Sequence, residues 1–479
     1  MDYKKLGFKS GLEIHQQLNT NKLFCNCLSI LRKDEPDFEV KRKLHAVAGE
    51  SGEVDIAAAY QASLGKEFVY QGYDDSTCLV ELDEEPPHEL NQDALKIALQ
   101  IAILLHAKIV PLTQIMRKTV IDGSNTSGFQ RTVLIARDGY VETEQGKVEI
   151  ESICLEEDAA RIISREDNKI IYRLDRLGIP LIEIATAPDI KNPEQAKEVA
   201  LHIGDVLRSC NVKRGLGTIR QDVNVSIKKG ERTEIKGVQK PDLIIKTLNS
   251  EVKRQSDLIE KGQEVESGVR KALANGNTKF LRPMPGAARM YPETDLPLLK
   301  ISRGLINKVK KSLPKLKRDI EKELTHKGLN HEMIRLLFKQ NKLEEFEELL
   351  KVINKPQLVG KVLLIIPKEI ASHSNKPLLK IQKILNKDIL IFVLESFKKE
   401  KISETQIKKV LERIVNGESL KSAIVFKKKD IDAIEEKIRK IIKQKPELSE
   451  KAYMGLVMKE FGGEIEGREA MEIIKKYVS

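Results

Sequence analysis

Gly11-Leu12-Glu13-Ile14-His15 has the local pattern that is most informative about the architecture of this chain. Successive side chains of an extended strand point to opposite faces, so Glu13 and His15 would share one face while Leu12 and Ile14 share the other. The pattern therefore predicts a strand that buries an apolar face and presents an acid beside an imidazole. Such a pair is suited to metal binding or to acid–base chemistry.

Three later segments repeat this pattern, because each sets a carboxylate beside apolar residues that a sheet would bury. They are Leu155-Glu156-Glu157-Asp158, Pro180-Leu181-Ile182-Glu183-Ile184 and Arg220-Gln221-Asp222-Val223-Asn224. A buried carboxylate without a partner is costly, so such groups are usually paired, hydrogen-bonded or bound to metal. The candidate metal ligands are His15, Glu157, Glu183 and Asp222. Carboxylate oxygens favour Mg²⁺, and the imidazole leaves Mn²⁺ or Zn²⁺ open. The alternative is a structural hydrogen-bonding role for each residue.

Length and charge bound the class of protein. A chain of 479 residues with 41% hydrophobic residues is too long for one core and predicts two to four globular domains. Residues 301–479 hold 40 Lys+Arg and 26 Asp+Glu, a net charge of +14, whereas residues 1–300 have a net charge of −3. A basic C-terminal part predicts a polyanionic partner, above all nucleic acid. The alternative is that these lysines only solvate helices. Trp is absent and aromatic residues make up 4%, which argues against base-stacking platforms.

Cysteine usage and hydropathy indicate the compartment. The chain has five cysteines, an odd number that implies no disulfide framework and a reducing environment. No signal peptide is recognisable, and the most apolar stretch, residues 97–110, is too short to cross a bilayer. We therefore expect a cytoplasmic protein with no membrane partner. Cys25-x-Cys27 is a weak zinc signal, for which two buried thiols are the favoured interpretation because no second Cys pair lies nearby.

Periodicity predicts two helices and two runs of strands in the first part of the chain. Helices are expected over residues 91–109, capped by Asn91, and over residues 193–210, capped by Asn192. Strands and turns are expected from Ile115 to Ile184, with hairpin signals at Asp122-Gly123 and Asp138-Gly139, and strands resume over residues 218–238. Long helices separated by antiparallel strands predict an α+β domain.

The remainder of the chain is expected to be helical. Residues 241–275 resemble a single helix, and a proline-dense stretch around residues 283–297 closes the first domain. The predicted fold class is thus α+β: a mixed or antiparallel sheet domain over 1–297, an all-helical domain over 298–400, and a small helical tail bundle over 401–479.

One loop offers groups suited to binding phosphate. The chain contains neither G-x-x-x-x-G-K-[ST] nor a strand-linked G-x-G-x-x-G. The stretch from Gly123 to Arg131 supplies small residues, hydroxyls, exposed backbone N–H groups and a cation. Its candidate phosphate ligands are Ser124, Asn125, Thr126, Ser127 and Arg131. A plain surface loop is the alternative.

Four ordered blocks resemble a known family, the B and E subunits of tRNA-dependent amidotransferases. They are Gly11–Leu18, Leu155–Ala159, Gly178–Ile184 and Arg220–Asn224. Gln16-Gln17, the stretch from Gly123 to Arg131 and the block from Arg282 to Asp295 are similar to the archaeal-type E subunit, which acts on glutamyl-tRNA(Gln). The resemblance covers most of the chain.

The resemblance implies an enzyme with a catalytic cradle domain at its N-terminus. ATP would phosphorylate the side chain of glutamate misacylated on tRNA(Gln), and ammonia would displace the phosphate to give glutaminyl-tRNA(Gln). By family motif, His15, Glu157 and Glu183 would hold a permanent metal, and Glu13 and Asp222 a second, ATP-linked Mg²⁺. On chemistry alone, Arg131, Arg220 and Lys236 are further candidates for phosphate contacts.

The resemblance also implies partners. An asparaginase-like amidotransferase protein, the family's D subunit, would supply ammonia in a heterotetramer with two copies of each chain. The tail segment Lys451–Glu460 is similar to the family's tRNA-binding bundle, and its basic region suits phosphate binding. The E subunit usually carries a synthetase-like insertion between the segments that here end at Val238 and begin at Arg282, and this chain lacks it, either naturally or by removal. Two alternatives remain: amidation of Asp-tRNA(Asn), or a non-catalytic tRNA-binding module on the same fold.

Overall fold

The computed structural model describes residues 1–45, 65–166, 168–284, 290–426, 431–446, 448–461 and 467–478, together with positions 52, 54, 59 and 63. These residues form two compact units, Met1–Lys317 and Arg318–Ser479. Residues 285–289, in the predicted Arg282–Asp295 block, lie outside the described part of the chain.

The first unit is built around a large, mostly antiparallel sheet. Its strands, together with those of two small sheets, are β1 (Lys9–Gln17), β2 (Phe38–Arg42), β3 (Glu67–Gly72), β4 (Lys108–Ile109), β5 (Leu112–Thr113), β6 (Ile115–Thr119), β7 (Phe129–Thr143), β8 (Gly146–Glu157), β9 (Arg161–Arg165), β10 (Lys169–Arg173), β11 (Pro180–Thr186), β12 (Ile219–Ser226), β13 (Thr233–Lys236), β14 (Gly268–Ala272), β15 (Thr278–Pro283), β16 (Met290–Pro292) and β17 (Leu299–Lys300). The large sheet has the order β15-β14-β13-β12-β1-β11-β8-β7-β6-β16, with β4 against β7. The small sheets are β2-β3-β10-β9 and β17-β5.

Strand β1 lies in the middle of the large sheet and pairs antiparallel with β11 and β12. Its alternation follows the prediction. Leu12 and Ile14 are each 1% exposed and belong to the apolar core, whereas Glu13 and His15 are only partly buried. One face of the sheet is therefore apolar and covered, and the other presents the polar side chains.

Three helices pack on the apolar face: α1 (Gln92–Leu104), α2 (Pro193–Ser209) and α3 (Pro241–Glu260). Helices α1 and α2 begin directly after their predicted caps, Asn91 and Asn192. Asn91 accepts hydrogen bonds from the backbone N–H groups of residues 93 and 94, and Asn192 accepts one from the N–H of residue 195.

Three local predictions are wrong. The helix expected over residues 91–109 ends at Leu104, and Lys108–Ile109 forms β4 instead. The expected helix over residues 241–275 ends at Glu260, and β14 and β15 follow, because Gly262 turns the chain at φ +70° and alternating residues then add two strands. Asp138-Gly139 is not a hairpin turn but lies within β7. A Cβ at Gly139 would lie 2.6 Å from the carbonyl oxygen of Leu105, so glycine permits this close approach.

The chain after β17 is helical in its described residues, as predicted. The helices are α4 (Arg303–Lys311), α5 (Lys317–His326), α6 (His331–Lys339), α7 (Leu343–Val352), α8 (Pro356–Gly360), α9 (Ile366–Ser374), α10 (Leu378–Ile384), α11 (Lys387–Lys398), α12 (Ile407–Val415), α13 (Leu420–Ala423), α14 (Ile431–Gln444), α15 (Glu450–Phe461) and α16 (Gly467–Val478), with a π-helical turn at Lys361–Ile365 and a 3₁₀ turn at Glu404–Gln406.

Two apolar cores organise the second unit. One extends from Leu324 to Ala423, so α12 and α13 share a core with the preceding helices. The other joins α14, α15 and α16 through Ile438, Val457 and Ile474. No helix among the described residues combines the length and hydropathy that a bilayer crossing requires.

Candidate metal centre

Two neighbouring strands, β1 and β11, bring an imidazole and two carboxylates together on the polar face of the sheet. His15 lies opposite Glu183 in the β1–β11 pair, and Glu13 is two residues away on the same face. His15 Nε2 is 3.1 Å from Glu183 Oε2 and 3.5 Å from Glu13 Oε1. One potential ligand atom from each of these residues lies within 4.8 Å of the others.

Glu156 and Lys118 complete this group. Lys118 Nζ lies 3.4 Å from Glu156 Oε1 and 3.8 Å from Glu183 Oε2, and Gln130 Nε2 donates to Glu156 Oε2 at 3.1 Å. We call Glu13, His15, Lys118, Glu156 and Glu183 the metal-centre cluster. It contains three carboxylates but only one permanent cation.

The crowding of acids perturbs the titration of the cluster. Burial and the charge of Glu183 raise the pKa of Glu13, and the same two causes raise the pKa of Glu156. Burial opposes protonation of His15, but the hydrogen bond and charge of Glu183 outweigh it and raise the pKa of His15. Burial opposes ionisation of Glu183, yet its bond to His15 and the charge of Lys118 lower its pKa. A cation among these groups would relieve their mutual repulsion.

Glu157 does not join this group, and its predicted place beside His15 and Glu183 is corrected. Glu157 has the same parity along β8 as the core residue Leu155, so its side chain points to the apolar side of the sheet, whereas Glu156 points to the polar side. Strand alternation applied to Leu155-Glu156-Glu157 would have predicted this exchange. Lys118 had no comparable signal in the sequence.

On the apolar side, Glu157 belongs to a set of paired charges. Glu157 accepts a hydrogen bond from the backbone N–H of Arg131 at 3.1 Å, and Arg131 Nε donates to Glu293 Oε2 at 2.7 Å. Arg117 also pairs with Glu293 and stacks on the ring of Phe129. We call Arg117, Arg131, Glu157 and Glu293 the arginine cluster. Burial raises the pKa of Glu157, and Arg131 opposes that effect.

Asp222 lies beside Glu13 but is engaged by other groups. It is opposite Glu13 in the β1–β12 pair, receives Lys236 Nζ at 3.0 Å and accepts from the N–H of Gly237 at 2.9 Å. Lys236 pairs with Glu234 as well. Burial disfavours the charge on Lys236, but Asp222 and Glu234 outweigh it and raise its pKa.

Arg220 shares the polar face with His15, opposite which it lies in register. Its Nη2 donates to Asp158 Oδ1 at 2.7 Å, and its side chain is 39% exposed. Arg220 and Lys236 therefore flank the metal-centre cluster as partly exposed cations, which suits the predicted contact with phosphate.

The predicted phosphate loop is largely occupied by its own hydrogen bonds. Ser124 Oγ donates to Asp122, Thr126 Oγ1 donates to the carbonyl oxygen of Glu81, and Ser127 Oγ donates to that of Phe129. Asn125 is 2% exposed. Arg131, at the end of the loop, is committed to the arginine cluster. The structure thus brings the loop to the apolar side of β8, away from the metal-centre cluster.

A second group of potential ligands contains the Cys25-x-Cys27 pair. Cys25, Cys27, Cys78 and Glu81 each offer an atom within 4.8 Å of the others, so a third thiol and a carboxylate join the pair that sequence left alone. The neighbouring thiol of Cys25 lowers the pKa of Cys27. Three sulfurs and one carboxylate match the number of donors in a closed zinc site, although Lys22 Nζ lies 2.8 Å from Glu81 Oε1.

This sheet, with its acidic and imidazole cluster, corresponds to a known class of catalytic domain. Residues 8–307 match the family model of the GatB/GatE catalytic domain, so the chain belongs to the GatB/GatE family.

Particular relatives resemble the chain over nearly its whole length. It is 38% identical over 637 aligned positions to the E subunit of the glutamyl-tRNA(Gln) amidotransferase of Methanocaldococcus jannaschii, with 99% of each chain covered. It is 35% identical over 628 positions to the protein of the same name from Methanosarcina barkeri, with 99% of this chain and 98% of the relative covered. The longer alignment exceeds the 479 residues of this chain, so the relative has residues without a counterpart here.

Proposed function

We propose that this chain is the E subunit of a tRNA-dependent amidotransferase that converts Glu-tRNA(Gln) into Gln-tRNA(Gln). The observation that carries the proposal is the metal-centre cluster on the polar face of a GatB/GatE domain, in a chain whose full-length relatives bear the name of this protein class. ATP would phosphorylate the γ-carboxylate of the esterified glutamate, and ammonia would displace the phosphate.

The residues present fit a divalent cation. Two ligands of one Mg²⁺, each about 2.1 Å from it, lie no more than about 4.2 Å apart. The distances from His15 Nε2 to Glu183 Oε2 and Glu13 Oε1, 3.1 and 3.5 Å, fall within that limit. We propose that His15, Glu183 and Glu156 hold the permanent metal, and that Glu13 with Asp222 binds the ATP-linked Mg²⁺. Bound there, the ion would neutralise charge that develops on phosphate oxygens.

The protein's own groups would orient the two reactants. Arg220 and Lys236 flank the cluster, and each could exchange part of its present ion pairing for the phosphates of ATP. In the first step a γ-carboxylate oxygen bonds to the γ-phosphorus and ADP leaves. In the second, the nitrogen of ammonia bonds to the acyl carbon, the C–O bond to phosphate breaks, and the nitrogen loses a proton. The buried apolar side of the sheet gives these residues a rigid support.

The partners follow from the same proposal. Ammonia would come from an asparaginase-like D subunit, in a cytoplasmic heterotetramer with two copies of each chain. The helical second unit would bind tRNA through its excess of Lys and Arg. This chain lacks some residues that the Methanocaldococcus jannaschii protein has. Recognition of tRNA by this chain would therefore depend on the second unit and not on those residues.

The test is amidation by the reconstituted enzyme. The chain would be co-purified with a candidate asparaginase-like partner and incubated with [γ-³²P]ATP, asparagine or glutamine, and Glu-tRNA(Gln). We expect Gln-tRNA(Gln), with one ADP and one labelled inorganic phosphate released per product. Binding of tRNA without turnover would favour the non-catalytic alternative. Asp-tRNA(Asn) is the matched substrate: its side chain is one methylene shorter, which is worth about 1–3 kcal/mol of discrimination, and preferential amidation of it would overturn the glutamyl assignment.

A further inference from the structure

A row of lysines crosses the large sheet from the metal-centre cluster to its edge. Lys236 on β13 lies opposite Lys271 on β14, and Lys271 lies opposite Lys279 on β15. We call Lys236, Lys271 and Lys279 the lysine row. Residues opposite each other on neighbouring strands project to the same face, so the three ammonium groups share one face of the sheet.

That face is the one that carries the metal-centre cluster. Lys236 Nζ is 3.0 Å from Asp222 Oδ2, and Asp222 lies opposite Glu13 in register. At about 4.8 Å per strand, the row extends to about 19 Å from β1, where β15 forms the sheet's edge.

The outer part of the row lacks the counter-charges that cations on the other face have. Lys236 is paired with Asp222 and Glu234, but Lys271 and Lys279 are exposed, and no ion pair to either is found within the described part of the chain. On the opposite face of β14, the Nε of Arg270 lies 3.6 Å from the buried Glu251. Strands β14 and β15 contain four cationic residues and no acidic one.

Like charges placed directly opposite each other destabilise a sheet. An exposed row of them costs stability in the free protein, and a polyanion laid across the strands would remove that cost. Lysine binds phosphate as a point charge and does not require the fixed geometry that a bidentate arginine contact does. A repeating series of phosphates is the ligand that such a row fits.

We propose that Lys271 and Lys279 bind the phosphate backbone of the RNA strand whose 3′ end carries the amino acid, and so direct that end along the polar face toward the metal-centre cluster. The inference rests on the proposed function, since it assigns a tRNA strand to this face. It places RNA contacts in the first unit as well as in the basic second unit.

The experiment compares charge reversals on the two faces of the same region. Affinity for a tRNA(Gln) transcript is measured by filter binding from 50 to 300 mM salt for the full-length chain, for K271E/K279E and for the control K253E/K261E. Lys253 and Lys261 are exposed residues of α3 and of its C-terminal cap, and α3 packs against the opposite face, where Gln255 Nε2 donates to Thr233 Oγ1. K271R/K279R keeps the charge and serves as a second control.

We expect K271E/K279E to weaken binding at least tenfold at the lowest salt and to reduce the slope of log K against log salt by about 1 for each lysine. The K253E/K261E and K271R/K279R variants should bind nearly as the wild type does. Equal affinity and slope for K271E/K279E and the wild type would overturn the inference while leaving the proposed function intact. So would a loss restricted to co-purification with the asparaginase-like partner, because the row would then bind an acidic protein surface. Failure of the wild-type chain to bind tRNA at all would overturn both proposals.

Discussion

Two adjacent glutamates on β8 belong to two clusters that differ in their ratio of acidic to cationic groups. Glu156 faces the metal-centre cluster, where three carboxylates share one lysine and one titratable imidazole, and where the side chains of Glu13 and Lys118 are 28% and 25% exposed. Glu157 faces the arginine cluster, where two carboxylates meet two guanidinium groups and Glu293 is fully buried.

This difference indicates that the metal-centre cluster is suited to binding a ligand, whereas the arginine cluster stabilises the fold. Each buried carboxylate of the arginine cluster lies against a guanidinium group, and Arg117 also contacts the exposed Asp295, so the cluster needs no further cation. Its contacts join the segment around Glu293 to β7 and β8. The metal-centre cluster has an unbalanced excess of acid that folding alone would disfavour. Sites that bind ligands commonly carry such local conflicts.

Disrupting the arginine cluster should change stability more than any other substitution considered below. Replacing Arg131 by Met leaves Glu157 and Glu293 buried without one of their cations, which should lower the free energy of unfolding by about 3–5 kcal/mol. Urea unfolding of R131M against wild type measures this. R131K keeps the charge and should lose less, and E156Q in the metal-centre cluster should lose little or even gain, because burial and Glu183 raise the pKa of Glu156 and so disfavour its charge in the folded chain. A loss below about 1 kcal/mol in R131M would place the arginine cluster among weak surface pairs.

Next in size is the contrast within β8. E156Q should lower the rate of ATP-dependent amidation by about 10–100-fold or more, because Glu156 is a proposed ligand of the metal. It should leave the melting temperature nearly unchanged. E157Q should lower the melting temperature and leave the rate nearly unchanged, since the side chain of Glu157 lies on the apolar side beside Arg131. The steady-state rate and the melting temperature of the two variants decide the matter together. Greater loss of activity in E157Q would restore the ligand set inferred from family motifs.

Much of this arrangement was accessible from the sequence. The alternation around Glu13 and His15 predicted which side of β1 is polar, and the caps Asn91 and Asn192 located two helices. Blocks spaced far apart in the chain indicated that Glu183 and Asp222 lie near β1, and the strand order places β11 and β12 on either side of it.

What escaped prediction depends on tertiary pairing. Lys118 joins the metal-centre cluster only because β6 and β7 are packed beside β8, an arrangement that no local pattern specifies. The hydroxyls of the 124–127 loop are satisfied by neighbouring groups such as the carbonyl of Glu81, so a loop composition typical of phosphate binding did not reveal these hydrogen bonds. The two strands after α3 were missed because a helical pattern in residues 241–260 was extended past Gly262.

A third comparison uses the metal itself. If the metal-centre cluster alone binds Mg²⁺ or Mn²⁺, a concentration 100 times the dissociation constant stabilises the folded chain by about 2.7 kcal/mol. Thermal unfolding with increasing MgCl₂ or MnCl₂ should show this shift in the wild type and in E157Q. The shift should be lost in E183Q and reduced in E156Q. Equal shifts in all four proteins would mean that the ion binds another part of the chain, such as the group formed by Cys25, Cys27, Cys78 and Glu81.

The smallest effect concerns acid. Burial opposes ionisation of Glu293, but its bonds to Arg117 and Arg131 lower its pKa below the ordinary value. A depressed folded-state pKa gives stability that is present above about pH 4.3, the ordinary pKa of a glutamate, and is lost as the pH falls through the folded-state value. Below about pH 4.3 the free energy of unfolding of the wild type should therefore decline more steeply than that of E293Q, by up to about 1.4 kcal/mol per pH unit, the contribution of one proton. Urea unfolding between pH 6 and pH 3.5 measures the two slopes.

The slope is the informative quantity, because E293Q also removes a partner of Arg131 and lowers stability at every pH. Parallel slopes would show that Glu293 binds its proton equally in the folded and unfolded chain. Arg117 and Arg131 would then not stabilise the charge of Glu293, and the contrast with the metal-centre cluster would be wrong.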